Sequence, residues 1–423
     1  MKKYLPRIAD AILQDRLQAK GAVLLEGPKW CGKTTTAKQQ ARSFISMDSP
    51  DMTKQYQQMA ELTPSALLEG KVPRLIDEWQ IAPNLWNAVR CEVDARDEFG
   101  QFILTGSAVP RTFDDSMHTG TGRISRLLLR PMSLYESKDS NGEVSLSKLF
   151  EGVDISAACE TSLEEISFFI CRGGWPKSIG LTEKPALFQA IDYYDAVVST
   201  DISRVDSIKR DKEKAKRLLK SYARQVGSQS SLETIRKDML VNQADTFDQA
   251  TLYSYLDALK KMFVIEDSPA WNPNLRSKTS IRTTDTRYFV DPSIAAAALG
   301  VGPRDLLNDL QTMGFLFENL CIRDLRVYAD ALDGTIYHYR DKNYLECDAV
   351  IHLRSGAYGL IEIKLGGDKL IEEGAGTLLD LASKLDTRHM PQPSFLAVLC
   401  AKAPYAYQRK DGVYVIPVAT LRP

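Results

Sequence analysis

The sequence predicts an α/β protein, and three observations carry that expectation. An apolar run, AVLLE at 22–26, enters the glycine-punctuated segment GPKWCGKT and then a helical stretch, TTAKQQARSF, the order of a parallel strand, a tight loop and a crossover helix. Two further apolar runs, VPRLIDEWQ at 72–80 and QFILTGSA at 101–108, end in polar residues, as strands do at the carboxyl edge of such a sheet. Near the other end, 336–365 reads as three strand-like runs separated by polar and glycine turns, after the helical pattern TMGFLFENLCIRDLRVYADAL.

The chain has 423 residues, enough for two or three domains of ordinary size. Its 54 Lys+Arg against 55 Asp+Glu give a net charge of −1, so any nucleic-acid surface must be local rather than a property of the whole molecule. Seven cysteines, none in a C-x-x-C pair, and four scattered histidines argue against a zinc site and a disulfide framework and fit a reduced, cytoplasmic protein. The opening MKKYLPRIADAILQDRLQAKG lacks the apolar core of a signal peptide. No apolar run approaches the roughly 18–20 residues of a membrane span, so no membrane partner is expected.

G-x-x-x-x-G-K-T between a strand and a helix is a phosphate loop in its required context. Gly27 and Gly32 allow backbone N–H groups to wrap phosphates in conformations that side chains would block, with Pro28, Lys29, Trp30 and Cys31 between them. Lys33 is expected to reach the β- and γ-phosphates, and Thr34 to place its hydroxyl on Mg²⁺. Thr35 stands in the first helical turn, whose partial positive charge adds to the site. The expected ligands are therefore ATP and Mg²⁺.

Hydrolysis also needs a carboxylate for the metal and a base for water. Asp77 and Glu78, at the end of an apolar run, are assigned those two roles. Asp97-Glu98, which follows no apolar run, reads as a solvated turn. Thr105 or Ser107, ending the next run, is placed to sense the γ-phosphate or orient water; a simple strand-ending turn is the alternative. Of the two arginines in TGTGRISRLLLRP, Arg123 is expected to complete a neighbouring subunit's site and Arg126 to make a surface salt bridge, which makes a homo-oligomer the expected assembly.

Tyr4-x-x-Arg7-x-x-Asp10, GPKWCGKT, Asp48, IDEWQIAPNLW, ILTGS, GR and LRPMSLYE together resemble a large prokaryotic family of AAA-type ATP-binding proteins. In that family the ATPase module precedes a long domain of unknown function. The resemblance continues through GGWPKS at 173–178, DISR at 201–204 and a carboxyl-terminal EIK, so it covers nearly the whole chain. Trp30 and Cys31 depart from a commoner Gln-Val, at positions where backbone atoms do the binding.

The expected division is an ATPase domain over 1–138, a helical and winged-helix domain over 139–300 and a third domain over 301–423, with the polar stretch ESKDSNGEVS at 136–145 as the first break. GGWPKS reads as a structural elbow against the ATPase domain, with a partner-binding loop as the alternative. Residues 204–224 carry nine Lys/Arg against three Asp/Glu, either a phosphate-facing helix or a solvated one. Behind them, helix, polar turn, helix and MFVIED have the order of a winged helix-turn-helix, a module that reads DNA or contacts proteins.

In the last segment Asp348 lies on the second strand-like run, and Glu362 and Lys364 lie two residues apart, on one face of the third. Carboxylates converging on a divalent metal, with a lysine beside the attacking water and Glu318 from the preceding helix as a further ligand, are what metal-assisted phosphodiester hydrolysis needs. The helix and three-strand order with LECDAVI and LIEIK resembles the PD-(D/E)xK nuclease fold of restriction endonucleases, which implies Mg²⁺ or Mn²⁺ there and DNA as the partner. Two functions are therefore expected. One is an ATPase acting on DNA through a nuclease-like domain. The other is a nucleotide-gated regulatory switch whose nuclease-like domain docks a partner without cleaving.

Overall fold

The computed structural model describes residues 4–106, 119–206, 208–240, 248–273, 284–386, 388 and 390–423. The chain divides into two compact units. The first comprises Met1–Pro131, Thr200–Arg210 and Leu256–Phe263, and the second Met132–Ser199, Asp211–Tyr255 and Val264–Pro423.

The first unit is built on five parallel strands: β1 (Ala22–Glu26), β2 (Ser43–Ser46), β3 (Arg74–Asp77), β4 (Phe102–Gly106) and β5 (Ile124–Leu128), in the order β2-β3-β4-β1-β5. A parallel sheet is covered on both faces, so its central strands read as continuous apolar runs. β4 is buried throughout and β1 nearly so. Successive side chains alternate between two cores. Leu24, Ile76, Phe102 and Leu104 pack with Trp79 and with Leu85, Trp86 and Val89 of helix Asn84–Arg96. Val23, Leu25, Leu75 and Ile103 pack with Leu13 and Leu17 of helix Ile8–Ala19. The helix after the glycine loop spans Lys33–Gln40, shorter than the sequence pattern suggests, because Ser43 already opens β2.

The second unit holds a seven-stranded mixed sheet. Its strands are β7 (Ala157–Ala158), β8 (Gly334–Arg340), β9 (Glu346–Leu353), β10 (Tyr358–Gly366), β11 (Phe395–Lys402), β12 (Tyr405–Gln408) and β13 (Tyr414–Pro417), ordered β7-β12-β13-β11-β10-β9-β8. β6 (Val144–Ser145) and β14 (Leu421–Arg422) form a separate pair. β8, β9 and β10 form an antiparallel meander, whereas β10, β11 and β13 run parallel. Helix Asp368–Lys384 connects β10 to β11 and packs Ile371, Ala375, Leu378 and Leu381 on Val350, Leu360 and Val398.

Helices Lys212–Ala223, Leu232–Leu240 and Gln249–Lys261 are followed by bridges between Ile265 and Phe289 and between Ser268 and Thr286. The basic run is not uniformly solvated: Arg210 is buried and paired with Asp206 at 2.6 Å. GGWPKS is an elbow held within its own unit. Met132 N–H donates to the Gly174 carbonyl, Gly174 N–H to Asp291, and Trp175 Nε1 to Ser293 Oγ at 3.0 Å. Asp291 also pairs with buried Arg323, which binds Asp324 in turn. Among the described residues no helix is long and apolar enough to cross a membrane.

Candidate functional site

The loop between β1 and helix Lys33–Gln40 has the backbone its glycines permit. Gly27 has φ +148° and lies so close to the Leu129 carbonyl that a Cβ there would sit 2.2 Å from its oxygen; Gly32 has φ +102°. Gly32 is the helix N-cap and has no side chain to bond the first-turn N–H groups, so those donors face the loop. Pro28 contributes its carbonyl, Trp30 is exposed with φ +66°, and Thr35 is exposed on the first turn. Cys31 is buried, its Sγ 3.3 Å from the Leu129 carbonyl.

Lys33 Nζ is buried and donates to the carbonyls of Gly27 and Pro28 at 2.9 and 2.7 Å. Asp77 closes β3, and the parallel register sets Thr105 of β4 beside it. Thr34 Oγ1 donates to Asp77 Oδ1 at 2.8 Å, and the Thr105 hydroxyl donates to the same oxygen. One carboxylate oxygen thus gathers hydroxyls from the loop helix and from the strand between β1 and β3. Asp77 is 7% exposed and Thr105 1%.

Glu78 comes next with φ +52°, a turn that separates its side chain from that of Asp77. Gln80 Nε2 donates to its carboxylate. Burial pushes the Glu78 carboxyl above its ordinary range, and the charges of Asp77 and Asp48 add to this against the opposing effects of Gln80 and Lys33. Ser107 lies outside the described residues.

Arg123 stands at the opposite edge of the sheet. Ala22 N–H donates to its carbonyl and Ile124 pairs with Ala22, so Arg123 precedes β5 at the amino edge while the loop leaves the carboxyl edge. Its side chain, 47% exposed, pairs with Asp94 at 2.7 Å. The length of a five-residue strand, about 16 Å, separates it from its own loop. Arg126 makes the surface pair, 3.4 Å from Glu26.

Two further groups shape the loop. Buried Arg7 donates to the carbonyls of Cys31 at 2.9 Å and Arg130 at 2.7 Å, clamping the loop to the segment after β5. Tyr4 bonds Asp10 at 2.7 Å and Thr36 at 3.3 Å. The spacing Tyr4-x-x-Arg7-x-x-Asp10 is the only sequence signal for them. Lys29 Nζ pairs with Asp201 at 2.7 Å, a contact without any local signal.

In the second unit Lys364 brings Asp348 and Glu362 together, while Glu318 is linked to them only through their charges. β9 and β10 pair as far as Ala349 and Ile361; beyond that point the Ile363 N–H is taken by Asp348 Oδ2 at 2.7 Å instead of a strand carbonyl. Lys364 Nζ lies 2.6 Å from Glu362 and 3.5 Å from Asp348. Glu318, half-buried and bonded by the Tyr288 hydroxyl, feels the charges of all three. Burial, reinforced by Asp348, pushes Glu362 up to about 8 and Glu318 far above the usual carboxylate range. Burial alone would lower Lys364, but Asp348 and Glu362 outweigh it and hold the amine above its ordinary range. The shared cation is thus the Lys364 ammonium, and among the described residues no three His, Cys, Asp or Glu side chains are arranged to hold a metal ion.

Residues 19–138 match the family model described as AAA domain. Residues 163–305 match a domain of unknown function (DUF8612), and residues 313–421 another (DUF4143). No curated protein matches the chain. Among solved structures, the Walker-type ATPase of Pyrococcus abyssi aligns with 70% of this chain and 96% of its own, at 14% identity and TM-score 0.41. Drosophila ORC bound to DNA aligns with 69% of this chain and 85% of its own, at 13% identity and TM-score 0.20. The Hef helicase domain of Pyrococcus furiosus aligns with 94% of this chain and 90% of its own, at 10% identity and TM-score 0.22. The matched family and the glycine loop set beside Asp77 agree: the first unit carries an AAA-type P-loop ATPase domain.

Proposed function

We propose that the protein is a Mg²⁺-dependent ATPase. The observation that carries the reading is the convergence of Thr34 and Thr105 on one oxygen of Asp77, beside a glycine loop that opens a helix. The residues fit the ligand: Gly27 and Gly32 hold the positive-φ backbone of a phosphate loop, and the Thr34 hydroxyl with the Asp77 carboxylate is an oxygen pair suited to Mg²⁺. Held by that pair, Mg²⁺ would supply charge neutralisation to the phosphates.

The chain's own groups do the rest. Lys33 exchanges the carbonyls of Gly27 and Pro28 for phosphate oxygens, trading neutral acceptors for charged ones. Glu78 accepts the proton of the attacking water, and its raised pKa brings it nearer to neutrality, where a general base is most effective. Thr105 fixes the Asp77 carboxylate. Arg123, too far from its own loop, serves the site of an adjacent subunit in a homo-oligomer, leaving Asp94 to do so. Mg²⁺-ATP binding lost in Lys33→Ala but kept in Glu78→Gln, with turnover lost in both, is the expected result. Turnover that survives Lys33→Ala overturns the assignment.

For the second unit we propose action on DNA through the set Glu318, Asp348, Glu362 and Lys364. Support comes from the helix, meander, helix, strand order around β8–β11 and from Asp348, Glu362 and Lys364 gathered where β9 and β10 part, within the field of Glu318. The three helices ahead of the 265–289 bridges support a winged-helix reading of the middle segment. One observation favours the other reading, a nucleotide-gated switch with a non-catalytic domain: Lys364 already satisfies both carboxylates as their cation. Plasmid and single-stranded DNA cleavage with Mg²⁺ or Mn²⁺, with and without ATP, decides between them. Cutting abolished by Asp348→Ala supports the nuclease, and no cutting alongside normal ATPase activity supports the switch.

A further inference from the structure

Lys29 is the third residue of the phosphate loop, and its ammonium lies 2.7 Å from Asp201, 172 positions further along. The two side chains are 44% and 12% exposed, so the carboxylate is the better sheltered partner. Asp201 ends a π-helical segment, Val197–Asp201, that directly succeeds helix Glu183–Ala196 and runs into the short helix Ile202–Arg204. A π turn inserts a residue into the α-helical register, so Asp201 projects to a side that an uninterrupted α-helix would not give it.

The stretch from Ile202 to Arg210 is cross-tied by its own side chains. Arg210 donates to the Ile202 carbonyl at 2.7 Å and to both oxygens of Asp206 at 2.6 Å, and its N–H donates to Ser203 Oγ at 3.0 Å. Thr200–Arg210 belongs to the first unit while the chain on either side belongs to the second. Asp201 is therefore presented to the loop from a braced segment.

We propose that Asp201 is a nucleotide-discriminating residue that acts through Lys29. Its carboxylate holds the ammonium off the terminal phosphate and so weakens triphosphate binding relative to diphosphate. A cation at the rim of the cradle gains more from a triphosphate, which carries one more negative charge, than from a diphosphate, so competition for that cation falls more heavily on the triphosphate. Asp201 is therefore a positioning residue. The inference rests on the nucleotide reading of the loop and deepens it.

The test is the dissociation constant of the full chain for ATPγS and for ADP, each with Mg²⁺, in wild type, Asp201→Asn, Lys29→Ala and the double variant, with melting temperatures confirming that all four fold. Asp201→Asn is expected to tighten ATPγS binding about fivefold, the effect of one partly exposed ion pair, with less than about twofold change for ADP. The double variant should match Lys29→Ala, and Asp201→Glu should restore the wild-type ratio. An unchanged ATPγS-to-ADP ratio in Asp201→Asn overturns the proposal. So does an Asp201→Asn effect that persists in the Lys29→Ala background, since the carboxylate would then act as a bare charge. Absence of binding by the wild type overturns this proposal and the nucleotide reading together, whereas binding with an unchanged ratio overturns this proposal alone.

Discussion

Thr105→Val exchanges a hydroxyl for a methyl at a position that is 1% exposed, so the change is confined to one bond. That hydroxyl donates to Asp77 Oδ1, which also accepts Thr34 at 2.8 Å. A hydrogen bond to a charged group contributes about 1.5–3 kcal/mol. Asp77 keeps its Thr34 donor and is not left bare, which puts the loss near the lower end, about 1.5 kcal/mol. In a unit of about 150 residues this lowers Tm by about 3–6 °C. If Thr105 fixes the Asp77 carboxylate during hydrolysis, the same energy appears in the barrier and kcat falls about tenfold. Thermal melting and steady-state phosphate release read the two effects, with ATP affinity expected to stay within about twofold. Thr105→Ser keeps the hydroxyl and should hold both values near wild type. Wild-type Tm and kcat in Thr105→Val would show that this hydroxyl neither stabilises the fold nor fixes Asp77.

Because Glu78 must be ionised to take a proton and its folded-state pKa is raised, acidification protonates it early. The acid limb of kcat should therefore lie above the ordinary Glu value of about 4.3, and Gln80→Leu, which removes a bond that lowers that pKa, should move the limb to higher pH. A limb at the ordinary value, measured as a pH–rate profile, contradicts the assignment of Glu78. Mixing Arg123→Ala with Lys33→Ala protein should restore partial ATPase activity, because each supplies what the other lacks; co-assembly is checked by pull-down, and co-assembled but inactive mixtures count against an arginine donated between subunits. Asp291→Ala removes one of the two carboxylates paired with Arg323, 1% exposed and 2.9 Å away, and the acceptor of the Gly174 N–H, and should destabilise the second unit by about 3–5 kcal/mol in urea unfolding. A loss below about 1 kcal/mol would show that Asp324 alone satisfies the guanidinium.

Much of the first unit is legible in the sequence because its constraints are local. Only glycine tolerates the backbone of Gly27 and Gly32, and only a strand buried on both faces produces runs such as AVLLE and FILTG. The pairing of Asp77 with Thr105 comes from register, which the two strand-ending motifs suggest but do not fix. Arg123 shows the limit: the motif marks an arginine beside a strand, and only the pairing of Ile124 with Ala22 reveals that it lies at the far edge. The Lys29 and Asp201 pair spans 172 positions and leaves no periodic trace. Counting charges over 204–224 also misleads, since Arg210 is buried against Asp206 instead of facing solvent. In the second unit the spacing of Glu362 and Lys364 puts them on one face, but it does not reveal that the ammonium bridges Glu362 and Asp348.

If Glu78 activates water in a site that binds ATP without it, removing the base spares binding and stops the chemistry. Single-turnover hydrolysis of pre-bound Mg²⁺-ATP by Glu78→Gln, against wild type, tests this most directly. The variant is expected to bind ATP with wild-type affinity and to retain it intact long after the wild type has converted it to ADP. Conversion at the wild-type rate would contradict it.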